Sequence, residues 1–172
     1  MGKKFVLYGL AAVLGILCAV VLSGFFMITT VAGSGMEPAL SSGDHVLIAK
    51  RAYCGKMPQA GQIVAFACDV YGEEGEGRLL VRRVAGEPGD LLEIKEGVFY
   101  RNGKPYEDYM REAVRMEDMS QIKLGEDQFF VLSDNRKSVM DSRNEAIGVL
   151  ELKDCLGKVC FGQKGTGKES KT

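Results

Sequence analysis

A chain of 172 residues, with 46% apolar and 26% charged side chains, has the material for one modest folded domain and not for two. Its formal net charge of -1 leaves no electrostatic footprint for nucleic acid, so a DNA- or RNA-binding role is set aside. One histidine, His45, would have to carry any histidine-based catalysis alone, and no Ser/Asp motif surrounds it.

The charges are unevenly spread. Of the 22 basic residues only Lys3 and Lys4 precede Glu37, and all 23 acidic residues follow Met36. Residues 5–28, FVLYGLAAVLGILCAVVLSGFFMI, form an uncharged apolar run. A bilayer core needs about 20 such residues in a helix, so the run is expected to be an uncleaved transmembrane signal-anchor behind a short cytoplasmic N-terminus, residues 1–4. The alternative is a cleaved signal peptide ending at Thr30-Val31-Ala32, but the apolar core of such a peptide is about 7–15 residues. The lysines before the run keep the N-terminus in the cytoplasm and place the rest outside, in a single-pass protein touching membrane lipid. Ala11, Gly15, Ala19 and Ser23 recur every fourth residue and form a small-residue stripe for a helix–helix partner, unless the stripe is only composition.

Residues 29–161 turn to short apolar runs separated by turn formers. Val46–Ala49, Ile63–Phe66, Leu79–Val81, Leu91–Ile94, Gly97–Tyr100, Phe129–Leu132 and Val159–Phe161 are predicted strands. Ser42-Gly43-Asp44 and Gly86-Glu87-Pro88-Gly89-Asp90 are predicted turns, and Asn102-Gly103 predicts a tight hairpin. The fold class is therefore mostly β, an antiparallel sheet domain after one N-terminal helix. Pro105–Lys123 is polar and is expected to leave the sheet with a helical turn or two. Residues 162–172, rich in Gly and Lys, are expected to be a disordered tail. The acidic loop around Glu73, Glu74 and Glu76 is expected to be solvated. Cys54, Cys68, Cys155 and Cys160 allow one or two disulfides or none. No Cys-x-x-Cys occurs, so no metal site is expected, and no motif calls for a cofactor.

Three segments together resemble the bacterial type I signal peptidases. Gly33-Ser34-Gly35-Met36-Glu37-Pro38-Ala39-Leu40, followed by Gly43-Asp44, is similar to that family's Ser-Met-x-Pro-Thr-Leu box after the membrane helix. Arg82-Arg83-Val84-Ala85-Gly86-Glu87-Pro88-Gly89-Asp90 is similar to Lys-Arg-Val-x-Gly-x-Pro-Gly-Asp. Ser133-Asp134-Asn135-Arg136-Lys137-Ser138-Val139-Met140-Asp141-Ser142-Arg143 is similar to Gly-Asp-Asn-Arg-x-x-Ser-x-Asp-Ser-Arg. The resemblance implies a protein of the bacterial cell membrane with a β domain that removes signal peptides from exported precursors. The implied chemistry is a serine nucleophile deprotonated by a lysine.

The chain departs from the pattern at the reacting positions. Gly35 stands in the nucleophile's place, Arg82 in the lysine's, and Val139 where a serine helps orient the lysine. Glycine has nothing to attack with, and arginine stays protonated in proteins. Ser34 is the weak substitute nucleophile, one residue off and so on the opposite face of an extended segment. The framework remains: Met36, Pro38, Asp134, Asn135, Arg136, Asp141, Ser142 and Arg143 are kept. Two functions follow. One is a non-catalytic, signal-peptidase-like protein that binds an exported precursor or signal peptide at the outer membrane surface. Proteins resembling this, with a degraded dyad, serve as assembly helpers for surface pili. The other is an active type I signal peptidase, a serine endopeptidase.

Overall fold

The computed structural model describes residues 2–68, 78–106 and 114–163. Helix α1 runs Gly2–Phe25. Its segment Lys4–Phe25, 22 residues with mean hydropathy 2.7 and no part buried within the protein, is long and apolar enough to cross a membrane. The helix stops short of Ile28, where the apolar run was expected to end. Phe26, Met27 and Ile28 instead open strand β1 (Phe26–Thr30), paired with Ala49, Ile48 and Leu47 of β2 (His45–Ala49). A continuous apolar run carries no periodicity that separates its helical part from its extended part.

The sheet also caps the helix. The last turn of α1 has no basic residue of its own. Lys50, just past β2, donates its backbone N–H to the Phe25 carbonyl at 2.8 Å and its ammonium to the Ser23 carbonyl at 2.9 Å. Both groups satisfy carbonyls that a helix end leaves open, and the cation sits at the negative end of the helix dipole. The Arg51 guanidinium lies 4.7 Å over the Phe25 ring.

The remaining strands are β3 (Ile63–Cys68), β4 (Arg78–Gly86), β5 (Leu91–Lys95), β6 (Val98–Arg101), β7 (Lys104–Pro105), β8 (Met119–Lys123), β9 (Gln128–Leu132), β10 (Leu150–Glu151) and β11 (Cys155–Gln163). Five of them join β1 and β2 in one antiparallel seven-stranded sheet, in the order β1-β2-β11-β3-β4-β9-β10, and a second sheet has the order β7-β6-β5-β8. β9 explains its own apolar sequence. Phe129 and Val131 pack on one side with Val64, Phe66, Leu80 and Val84. Phe130 and Leu132 pack on the other with Leu92, Ile94 and Phe99 of the second sheet. A strand covered on both faces loses the alternation of a half-exposed one.

The turns follow their residues. Asn102 and Gly103, at φ 54° and 74°, make the two-residue hairpin between β6 and β7. Asp90 accepts from the backbone N–H of Glu87, the Nε of Arg101 and the side-chain amide of Asn102, all within 2.7 Å. The second box thus fastens the β4–β5 turn to that hairpin.

Two expectations need correction. Met119–Lys123 is a strand paired with β5, not part of a polar excursion. Its half-exposed pattern at the edge of the second sheet hid it. Gly162 and Gln163 pair with Val46 and His45, so the sheet extends into the segment expected to be tail. Of the alternatives left open for Cys54, Cys68, Cys155 and Cys160, all four are free thiols, with Cys68 in the first core cluster and Cys155 packed against it. Residues 107–113 and 164–172 and the loop of Glu73, Glu74 and Glu76 lie outside the described residues.

β11 lies between β2 and β3, and Gly157 is where they crowd it. At φ 154°, a Cβ there would sit 2.4 Å from the Ala49 carbonyl oxygen and 2.8 Å from an Ile48 methyl. Gly157→Ala therefore costs about 2 kcal/mol or more. Thermal unfolding of the full chain in detergent will show it as a drop of several degrees, whereas an unchanged midpoint would mean that the strands can part.

Candidate functional site

The first box is held by its apolar members. Met36 is fully buried and Leu40 nearly so, packed with Val46, Ile48, Ala65 and Val81. The Leu40 N–H donates to the Met36 carbonyl at 2.8 Å, which turns the loop back on itself. The third box ties down the other end. The Asn135 N–H donates to the Gly35 carbonyl at 3.0 Å, and its side-chain amide to the Ser34 carbonyl at 3.2 Å. Ser34 is exposed, while Gly35 is buried.

Gly35 faces Arg82. The guanidinium lies 3.1–3.3 Å from where a Cβ at position 35 would be. Gly35 is not among the glycines at positive φ, so the backbone there would accept another residue. A side chain there would press on the guanidinium, which would have to give by a few tenths of an ångström. Arg82 is 5% exposed. Its Nε donates to the Met140 carbonyl at 2.7 Å, and its Nη1 to its neighbour's carbonyl, that of Val81, at 2.6 Å. Two carbonyl acceptors favour the charged form. A guanidinium so placed is a buried cation and hydrogen-bond donor, and it has no proton-accepting role.

Arg83, next on β4, takes a different partner. It binds both oxygens of Asp134 at 2.7 and 2.6 Å and donates to the Gly61 carbonyl. Both side chains of this pair are largely buried, and the forked geometry is the strong form of such a bridge. Asp141 is fully buried and receives the Ser133 N–H and the Arg143 guanidinium. Burial works to raise its pKa, but hydrogen bonds and charge from Arg143 outweigh that and hold it below the usual range. Asp141 therefore stabilises the fold above the carboxylate's unfolded pKa, and this contribution fades as the pH falls toward the depressed value. Ser142 accepts from the Val131 N–H and donates its own backbone N–H to the Val131 carbonyl. Arg143 also donates to the carbonyls of Arg136 and Ser138. The third box is thus a loop locked to β9 by its own side chains.

Val139 turns outward. It is 57% exposed and lines a surface groove with Ile94, Phe130 and Ser142. One residue on, the Met140 backbone carbonyl accepts from Arg82. Sequence similarity registered the segment correctly but not which group of it turns inward. Two further features lay beyond the motif: the Met140 carbonyl, and the arrangement around Arg136, which is 5% exposed with Nε and Nη1 unbonded. His45 opens β2 at the surface, with its Nδ1 3.1 Å from the Thr30 hydroxyl. Among the described residues no cluster of three His, Cys, Asp or Glu could hold a metal ion.

The fit between Gly35 and Arg82 makes their substitutions interdependent. Gly35→Ser alone will destabilise the chain by about 1–3 kcal/mol through overpacking. Arg82→Lys removes the planar group that crowds position 35, so the double variant will be more stable than the sum of the single effects by about 0.5–3 kcal/mol. A double-mutant cycle on thermal or denaturant unfolding checks this, and strict additivity would show that the two positions do not touch.

The family profile described as "Signal peptidase, peptidase S26" matches residues 4–162. Over 110 residues the chain is 33% identical to "Probable signal peptidase I-2" of Synechocystis sp., and the match spans 63% of this chain but only half of that protein's length. Over 163 residues it is 32% identical to "Signal peptidase I" of Bacillus licheniformis, covering 88% of this chain and 84% of that one. The crystal structure of a signal peptidase I from Enterococcus faecalis V583 is 26% identical, with a TM-score of 0.49, covering 61% of this chain and 98% of that one. The matched region takes in the apolar helix and all three boxes, and the chain belongs to the signal peptidase family, peptidase S26.

Proposed function

We propose that this family member is anchored in the membrane by α1 with its N-terminus in the cytoplasm, and that its β domain holds an exported precursor without cleaving it. The observation that carries this reading is the Arg82 guanidinium lodged against Gly35. Acyl transfer needs an activated nucleophile and a base that can take its proton. Position 35 offers no hydroxyl, and position 82 offers no removable proton at neutral pH. The loop that would meet a peptide is nevertheless fixed, through Met36, Leu40 and the two bonds from Asn135. Energy spent on keeping the loop ordered fits a protein that still binds. Within this reading the clients are precursors with signal peptides, and a surface-pilus assembly system is the setting that the degraded dyad suggests.

The names of the relatives favour a second reading, an active signal peptidase. Its only nearby nucleophile in the first box is Ser34, whose exposed position leaves it without a base. The two readings part on one assay. The purified full chain in detergent will leave a signal-peptide-bearing precursor intact, as seen by gel and mass spectrometry. Gly35→Ser together with Arg82→Lys will give weak cleavage where neither alone gives any, because nucleophile and base act as a unit. That cleavage will rise as the pH rises through the lysine's pKa, because only the neutral amine can take the serine's proton. Because Val139 faces the surface, adding Val139→Ser will contribute little. Cleavage by the natural chain, lost in Ser34→Ala, would establish the second reading instead.

The stripe Ala11/Gly15/Ala19/Ser23 is the helix contact within this proposal. Among the described residues, nothing beyond its own stretch of helix lies within 4 Å of a Cβ at Gly15. Gly15→Ile will reduce crosslinking of the chain to its neighbours in membranes. Unchanged crosslinking would make the stripe mere composition.

A further inference from the structure

Helix α1 ends where the first sheet begins. Phe26 pairs with Ala49, and Ala49 pairs on its other side with Lys158 of β11. Neighbouring strands lie about 4.8 Å apart, so the Lys158 backbone is roughly 10 Å from the start of β1. The apolar segment Lys4–Phe25 has 22 residues. At 1.5 Å per residue that is about 33 Å, close to the roughly 30 Å of a bilayer core. With α1 across a membrane, Phe25 reaches the edge of the hydrocarbon and Lys158 lies within reach of the lipid headgroups. Charge is arranged to match. Between Phe26 and Cys68 the Lys and Arg residues are Lys50, Arg51 and Lys56, all just past β2 at the helix end of the β1–β2 hairpin. The acids of that stretch, Glu37 and Asp44, belong to the loop at its other end.

Lys50 and Arg51 are held to the last turn of the helix, but Lys56 and Lys158 are not engaged. Among the described residues neither ammonium has a hydrogen bond or an ion pair. Lys56 is exposed and Lys158 half-buried, and neither ammonium is among the unpartnered atoms sealed from solvent. Both line one open cavity of about 520 Å³, with Tyr53, Gln59, Gln62 and Glu87. Glu87 is already matched: its carboxylate accepts from Arg101 at 3.0 Å and from the Ala60 N–H at 2.9 Å. The Tyr53 hydroxyl, Gln62 and Gln59 are linked side chain to side chain and make the wall polar. The charge left in the cavity is two accessible cations. A partly desolvated ammonium without an acceptor is costly, and an anion from outside offsets that cost. We propose that this cavity binds the phosphate of an anionic phospholipid from the membrane that α1 spans, with Lys56 and Lys158 as its cationic contacts. Lysine binds phosphate as a point charge. Position selects a lipid among anions, because the wall continues from the helix end through Ala52 and Tyr53, directly after Lys50 and Arg51. A zwitterionic headgroup would bring its own cation against two ammonium groups, so a net-negative one is preferred. The inference rests on anchoring by α1 and is independent of precursor holding.

The test uses the full chain in lipid nanodiscs, which leave both membrane faces open. One set is phosphatidylcholine alone, and the other adds phosphatidylglycerol. A water-soluble amine-acylating reagent is applied, and the modification of each lysine is read by mass spectrometry. Phosphatidylglycerol will slow acylation of Lys56 and Lys158 by about fivefold. It will leave Lys95 and Lys104, exposed on the second sheet, unchanged. Inorganic phosphate added to the phosphatidylcholine discs will not reproduce the protection. In a second measurement, native mass spectrometry counts the phosphatidylglycerol retained by the purified chain in detergent. Lys56→Gln with Lys158→Gln will lower it about fivefold or more, whereas Lys158→Arg will keep it. Equal acylation in the two discs, protection spread evenly over Lys95 and Lys104, or lipid retention unchanged in the double variant would overturn the site. Protection by inorganic phosphate as strong as by the lipid would overturn the lipid assignment. Co-elution with the discs reads anchoring separately. A chain that co-elutes without protection loses the lipid site alone, and a chain that does not co-elute loses the anchoring and the site with it.

Discussion

The buried Arg82 guanidinium is costly to desolvate, and the chain offsets that cost with backbone acceptors. The Met140 and Val81 carbonyls receive it, and Gly35 makes room for it. This arrangement constrains everything near it. The loop of the first box can approach β4 closely because position 35 has no side chain. The third box presents the Met140 backbone carbonyl to Arg82. A buried cation that lost either carbonyl would face a desolvation cost of several kcal/mol. The absence of a nucleophile and the presence of an arginine are therefore one packing solution, not two separate losses.

The framework around that contact is electrostatic on one side and apolar on the other. Met36 and Leu40 hold the first box to the core, where burial of a large side chain contributes roughly 1.5–3 kcal/mol each. Asp134 and Asp141 hold the third box through two forked arginine bridges. Breaking such a pair by removing one partner leaves an uncompensated buried charge, which typically costs about 3–5 kcal/mol. The pairs thus serve to specify the loop's shape. Arg136, equally buried, stands outside this pairing.

Much of the fold was legible because strands and turns carry local signals. Asn102-Gly103 and Pro88-Gly89 specify their turns through φ alone. The apolar runs at 46–49, 63–66 and 129–132 became β2, β3 and β9 because each has enough β-branched or aromatic side chains to fill a covered face. The misses share a cause. Phe26–Thr30 and Met119–Lys123 are edge strands of their sheets, and an edge strand is defined by its partner rather than by its own pattern. At the site, similarity of motif identified Gly35 and Arg82 as partners before any distance was known. It could not tell that Val139 turns to the surface, because a loop's side-chain direction depends on tertiary bonds such as those of Asp141 and Arg143. The unbonded Arg136 was invisible for the same reason: a missing partner is a property of three dimensions.

The central claim is that the site holds a precursor while Arg82 fills the place from which it would be attacked. The most direct measurement is site-specific photocrosslinking. A photoreactive amino acid replaces the exposed Ser34, on the loop beside Gly35, in the full-length chain in native membranes. The crosslinked products are then identified by mass spectrometry. The account predicts adducts to exported precursors whose signal peptides are still attached. Adducts confined to freed signal peptides or to processed mature proteins would contradict it.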